Sequence, residues 1–146
     1  MTEGEPVVLV HGLWTGSWVF GLFGRYLRAA GFAPRPFSYA SVRGSLAENA
    51  ASLRRFARSL AGPRVHFVGH SLGGLIVGWS LLRSIGETRP GRVVLMGAPY
   101  ADSHAARRLL ASRWGRPLAG SSLREWLSDG SPAWSASQPL GIIAGS

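Results

Sequence analysis

No cysteine and no lysine occur in this chain of 146 residues. The first absence excludes a disulfide framework, a thiolate metal site and a cysteine nucleophile, and it accords with the cytoplasm. The second makes all sixteen basic side chains arginine, spread from Arg25 to Arg124 in runs no longer than two. Against seven acidic residues they give a formal net charge of +9. A nucleic-acid binder concentrates such charge on one face or tail and interleaves it with stacking aromatics. Here the arginines fall on what read as solvent faces of helices, beside abundant Ala and Gly, a pattern closer to biased codon usage than to a binding patch. No nucleic-acid partner is expected; peripheral contact with an anionic lipid surface suits the charge better. Long hydrophobic runs are missing too. Val7–Val10 and Val93–Met96 are far too short to span a bilayer. The acidic start Met1-Thr2-Glu3-Gly4-Glu5 has no cationic region followed by an apolar stretch, so no signal peptide is read and cytoplasmic residence is expected.

What is present describes one globular domain. The hydrophobic fraction is 46% and the charged fraction 16%, which argues against disorder. Short apolar runs alternate with helical patterns, as in βα units on a parallel sheet. Strands are expected at Pro6–Val10, Arg35–Ala40, Val65–Val68, Val93–Met96 and Leu140–Ala144. A helix after Ser17 carries Trp18, Leu22, Tyr26 and Ala29/Ala30 on one face and is stopped by Gly31. A second is opened by the capping box Ser45-Leu46-Ala47-Glu48, carries Leu46, Leu53, Ala57 and Leu60 on one stripe, and ends at Gly62-Pro63. A third, amphipathic, runs from Leu72 to about Ile85. The fold class is therefore α/β, a mostly parallel sheet of about five strands flanked by helices, within a single domain over residues 1–146.

Between the last two strands, residues of about 100–138 have a different character. They hold a helix near Ser103–Trp114, a short one opened by a second capping box, Ser122-Leu123-Arg124-Glu125, and three of the six tryptophans, Trp114, Trp126 and Trp134. Such an insertion can form a lid or substrate wall. Equally, its tryptophans can cover ordinary hydrophobic surface.

One motif carries chemistry. Gly69-His70-Ser71-Leu72-Gly73, followed by Gly74, matches the G-x-S-x-G nucleophile elbow, with an apolar strand entering and a helix leaving. Ser71 must adopt a strained conformation so that its hydroxyl stands clear of the sheet. Side chains at Gly69 or Gly73 would collide with strand or helix. The helix N-terminus beneath the turn directs free amides at any developing anion. Far away in sequence, Val10-His11-Gly12-Leu13-Trp14 closes the first strand.

With these two motifs at this separation, the chain resembles the α/β-hydrolase family, in particular its bacterial lipase- and esterase-like members, over nearly its whole length. The resemblance implies a sheet in the spatial order second, first, third, fourth, fifth. It implies an ester hydrolase acting through a Ser71 acyl-enzyme, with no metal or organic cofactor, on a small-molecule or lipid ester. It assigns the oxyanion hole to the backbone amides of Leu13 and Leu72. His11 then orders its loop by hydrogen bonding, His70 faces away from the chemistry, and His66 is a hydrogen-bonded core histidine.

A serine nucleophile needs a histidine to take its proton and an acid to orient that histidine. In the family both follow later strands, in the order Ser…Asp/Glu…His. The sequence reaches Ser146 without either at its usual place, so the chain reads as C-terminally incomplete, with trace or no activity by itself. After Ser71 only Asp102, Asp129, Glu87, Glu125 and His104 could substitute, and the pair Asp102 and His104 is too close together to converge readily on Ser71. Two other classes compete with the hydrolase: a catalytically inactive module of the same fold that binds a ligand, and an arginine-driven nucleic-acid or membrane binder.

Overall fold

A computed structural model of the chain describes residues 4–82, 89–98, 107–108, 111–113, 115, 119–129 and 139–143. Five strands form one parallel sheet: β1 (Pro6–Val10), β2 (Ala33–Phe37), β3 (Val65–His70), β4 (Pro90–Met96) and β5 (Leu140–Ile143). Their order is β2-β1-β3-β4-β5, as the resemblance implies. Val10 pairs with both Phe37 and Gly69, and His70 pairs with Met96. The register therefore brings the ends of β1, β3 and β4 to one edge, where ligands of open α/β sheets bind.

Strand β2 begins two residues earlier than the sequence suggests. Pro34 and Pro36 both lie in it, and they are tolerated because β2 is an edge strand hydrogen-bonded only to β1. The other strands match closely, β3 and β4 being longer than their apolar runs; Ala144 lies outside the described residues.

The sheet has two covered faces, as a parallel sheet requires. On one, Val8, Val10, Phe67 and Leu95 pack against α2 (Leu46–Ser59), α3 (Leu72–Leu82) and α4 (Gly120–Asp129). On the other, Val7, Leu9 and Val68 pack against a 3-10 turn, Ser17–Phe20, and the helix α1, Gly21–Ala29. Adjacent residues of β1 thus serve opposite faces.

The apolar stripe read from the sequence is the outward face of α1. Phe20, Phe23 and Leu27 face the sheet, while Trp18, Leu22, Tyr26, Ala29 and Ala30 are exposed. Both faces are apolar enough to be buried, and Gly24 decides between them. It is buried against the Pro34 ring, so that side of the helix approaches the sheet without a side chain between. Gly31, at φ +87, ends the helix as expected.

The capping box of α2 is present. The Ser45 hydroxyl accepts from the Glu48 N–H at 3.1 Å, and the Glu48 carboxylate accepts from the Ser45 N–H at 3.0 Å. Helix α3 is not amphipathic. Leu72 to Gly78 are all buried, because sheet, α2 and α4 surround the helix; residues 83–85 of its expected span lie outside the described residues.

The second capping box does not form. Helix α4 starts at Gly120, so Ser122 sits inside it and its hydroxyl donates instead to the Gly44 carbonyl at 2.7 Å. Glu125 reaches across to accept from the Leu46 N–H at 2.7 Å, capping α2 rather than its own helix. Asn49 joins the two by donating to the Ser122 hydroxyl and the Ala40 carbonyl. Trp126, 3% exposed, belongs to the core, so within the insertion it covers hydrophobic surface. Trp114, Trp134 and most of 103–114 lie outside the described residues.

At the entry edge of the sheet, His66 has both ring nitrogens engaged, as expected of a core histidine. The Arg92 N–H donates to Nδ1 at 2.9 Å, so Nε2 carries the hydrogen and donates to Glu5 Oε2 at 3.0 Å. That hydrogen bond, helped by the positive fields of Arg64 and Arg92, holds the Glu5 carboxyl below its ordinary 4.5. A depressed carboxyl stabilises the fold above the unfolded-state value and loses that contribution as pH falls through the folded value. Wild type should therefore lose more stability than Glu5→Gln on acidification below 4.5. The difference should be small, since Glu5 is solvent-accessible. Urea midpoints of the two proteins at neutral and acid pH check this; parallel acid profiles would contradict it.

Candidate active site

Strand β3 runs straight into α3 through a single residue, Ser71, whose φ is +53. A non-glycine residue in this left-handed region is held there only by its surroundings, and both flanks show how. A Cβ on Gly69 would lie 2.6 Å from Gly74 Cα and 2.7 Å from Gly74 N. A Cβ on Gly73 would overlap the Val10 carbonyl oxygen and come within 2.5 Å of that of His11. Helix α3 therefore packs on β1 and β3 at backbone contact, which a side chain at either position would prevent. The Ser71 N–H donates to the Met96 carbonyl at 3.0 Å, tying the turn to the end of β4. Leu72 opens α3, so its N–H is one of the first-turn amides with no partner inside the helix.

The loop after β1 lies directly against this turn. A Cβ on Gly12 would stand 3.2 Å from Ser71 Cβ, 3.2 Å from His70 Nδ1 and 3.3 Å from the His70 carbonyl oxygen. His70 is exposed, and its ring borders Gly12 at the rim of the site instead of facing away from it as the sequence suggests. Trp14 is also held at positive φ, +65, so the loop is strained two residues beyond Gly12.

Two side chains fix the plane of the Gly12–Leu13 peptide. His11 Nδ1 donates to the Gly12 carbonyl at 2.9 Å, and the Thr15 hydroxyl donates to the same oxygen at 3.0 Å. Because a trans peptide sets its C=O and N–H in opposite directions, anchoring that carbonyl aims the Leu13 N–H the other way. His11 is 2% exposed and stacks on Tyr39 at 4.4 Å between ring centroids. Tyr39 donates its O–H to the His11 carbonyl at 2.7 Å. Burial lowers the His11 pKa below 6.5, opposed in part by the Gly12 bond, so the ring is neutral at physiological pH. Burial likewise pushes the Tyr39 hydroxyl upward, keeping it protonated.

The structure thus brings His11, Gly12, Leu13, Gly69, His70, Ser71, Leu72 and Gly73 to one edge of the sheet. His66 lies at the other edge, and Asp102, His104 and Glu87 lie outside the described residues. Thr15 and Tyr39 are additions. Thr15 was open to detection, since a hydroxyl three residues after a glycine can close a local turn. Tyr39 was not, because it reaches His11 only through the β1–β2 pairing. Among the described residues, no group of three or more His, Asp or Glu could hold a metal ion. No helix among them is long and apolar enough to cross a membrane. A concavity of about 670 Å³ lies on Gly4, Pro6, Gly31 and Leu60–Pro63, at the edge opposite Ser71.

A strained serine between a parallel strand and a buried helix, with a His-Gly loop against it, defines a hydrolase-type α/β fold. The chain belongs to the alpha/beta hydrolase family, whose model matches residues 7–144. No curated protein matches it. Solved structures do. A Bacillus licheniformis lipase, BlEst2, in its mature form is 21% identical with a TM-score of 0.72, over 86% of this chain and 55% of that one. A Paleococcus ferrophilus monoacylglycerol lipase is 26% identical, TM-score 0.59, over 75% and 49%. A structure from work on carboxylesterases of the thaumarchaeon Nitrososphaera gargenis is 15% identical, TM-score 0.59, over 76% and 46%. The chain spans about half the length of these structures.

Proposed function

We propose that this chain carries the nucleophile and the oxyanion-binding groups of a cytoplasmic serine hydrolase that cleaves carboxylic esters without metal or organic cofactor. The Ser71 hydroxyl attacks the acyl carbon and gives its proton to a base. The alcohol departs, and water then releases the acyl group from Ser71. The Leu13 and Leu72 N–H groups donate hydrogen bonds to the oxyanion that forms at each addition. The observation carrying this reading is the juxtaposition of Ser71, strained and wedged between Gly69 and Gly73, with the loop at Gly12. Names of the similar structures, a lipase, a monoacylglycerol lipase and carboxylesterases, support an ester as substrate. Leu13 and Trp14 beside the site favour an apolar acyl group.

Two of the described histidines are already engaged and are not the base. His66 is committed to Glu5 and Arg92, and His11 to Gly12. Where no base assists, oxyanion hole and binding alone leave about 10³–10⁴-fold catalysis over water. A fluorophosphonate, which adds to serine through a similar anionic transition state, reads the site without steady-state turnover.

Thr15 provides a graded test of the oxyanion assignment. Thr15→Val removes one of two hydrogen bonds holding the Gly12 carbonyl, so Leu13 should spend less time correctly aimed. Phosphonylation of Ser71 should slow about tenfold, with the unfolding midpoint little changed and Thr15→Ser restoring the rate. An unaltered rate in Thr15→Val would remove Leu13 from the oxyanion hole.

A further inference from the structure

The outward face of α1 and the turn before it is apolar where a solvated helix would be polar. Trp18, Leu22 and Tyr26, spaced four residues apart, are 77%, 65% and 68% exposed. Ala29 continues the stripe, and the exposed Arg25 and Arg28 flank it. The charge carried by the helix itself has one sign, Arg25 and Arg28. Between Glu5 and Glu48 the sequence holds four arginines and no acidic residue.

We propose that this face docks the protein onto an anionic phospholipid surface. The stripe is a convex ridge, not a groove, so it suits a deformable surface better than a peptide or small ligand. Tryptophan and tyrosine place an apolar body in the acyl boundary and a polar tip among headgroups. Arginines beside them meet lipid phosphates. A second copy fits worse, because stacking two such faces would bring Arg25 and Arg28 of one chain toward those of the other in a protein already at +9. Trp18 follows the Gly12–Trp14 loop closely, so docking would set the rim of the site beside the lipid. That consequence rests on the ester-hydrolase reading; vesicle binding does not.

Co-sedimentation of the full chain with phosphatidylcholine vesicles, with and without phosphatidylglycerol, tests the proposal. Binding should require phosphatidylglycerol and fall with salt. Leu22→Ser should weaken partitioning at least about tenfold, and Arg25→Glu about fivefold or more. Both positions are exposed, so circular dichroism should be unchanged. Ser71→Ala should bind as wild type does, which separates docking from catalysis. Equal binding by wild type and Leu22→Ser, or equal binding to both vesicle types, would overturn the proposal. So would absence of vesicle binding together with a dimer in solution that Leu22→Ser dissociates, which would assign the face to a second copy.

Discussion

Gly73→Ala is expected to abolish the native fold. The added methyl would fall on the carbonyl oxygens of Val10 and His11, which belong to the end of the interior strand β1 and the start of its loop. Neither can retreat. Val10 is fully buried and paired on both sides, to Phe37 and to Gly69, and His11 is held by Gly12 and Tyr39. Relief would require lifting α3 from the sheet, and α3 is the most completely buried helix among those described. Overpacking against immovable backbone belongs to the large-effect class of substitutions, roughly 4 kcal/mol or more, a large share of a small domain's stability. Gly31→Ala is the control. Its φ of +87 is unfavourable to alanine, but a Cβ there meets nothing within 4 Å, so only about 1 kcal/mol should be lost. Urea unfolding of the two variants reads the contrast. A folded Gly73→Ala protein with a midpoint near that of Gly31→Ala would mean that α3 is not seated on β1 at backbone contact.

Gly12→Val should leave the protein folded and slow phosphonylation of Ser71 by about 10²–10³-fold, the effect of losing one oxyanion donor. Even a methyl at Gly12 would sit 3.2 Å from Ser71 Cβ and from His70 Nδ1, and the branched valine adds bulk on the same side. The loop must then move off the serine, carrying the Gly12–Leu13 peptide with it. The β1 pairings end at Val10 and are not disturbed. A rate within a few-fold of wild type in a protein with native circular dichroism would place the oxyanion donors elsewhere.

The order of the sheet came only with the family resemblance, whereas the strands themselves, the position of Ser71 and the role of its flanking glycines were legible in the residues. They depend on apolar runs, on the elbow pattern and on steric rules that act locally. The Ser45–Glu48 cap was legible for the same reason. What escaped were choices made by packing. Trp18, Leu22 and Tyr26 and their rivals Phe20, Phe23 and Leu27 are comparably apolar, so only the sheet, meeting Gly24, could select between them. Ser122 and Glu125 have the spacing of a local cap, yet the helix starts two residues earlier and both side chains serve Gly44 and Leu46 nearly eighty positions away. Helix α3 looked amphipathic because the sequence does not show how many neighbours a helix will have. His70 was turned outward on the strength of its place in the motif, whereas its ring neighbours are set by where the β1 loop ends.

The central claim is that Ser71 is a nucleophile facing a formed oxyanion hole, and the adduct itself tests it most directly. The purified chain is incubated with a fluorophosphonate, digested, and the labelled peptide identified by mass spectrometry. The account predicts a single phosphonate on Ser71, forming faster than on any other serine of the chain and absent from Ser71→Ala. A native, folded chain that remains unlabelled under these conditions, or that takes the label on another residue while Ser71 stays free, would contradict it.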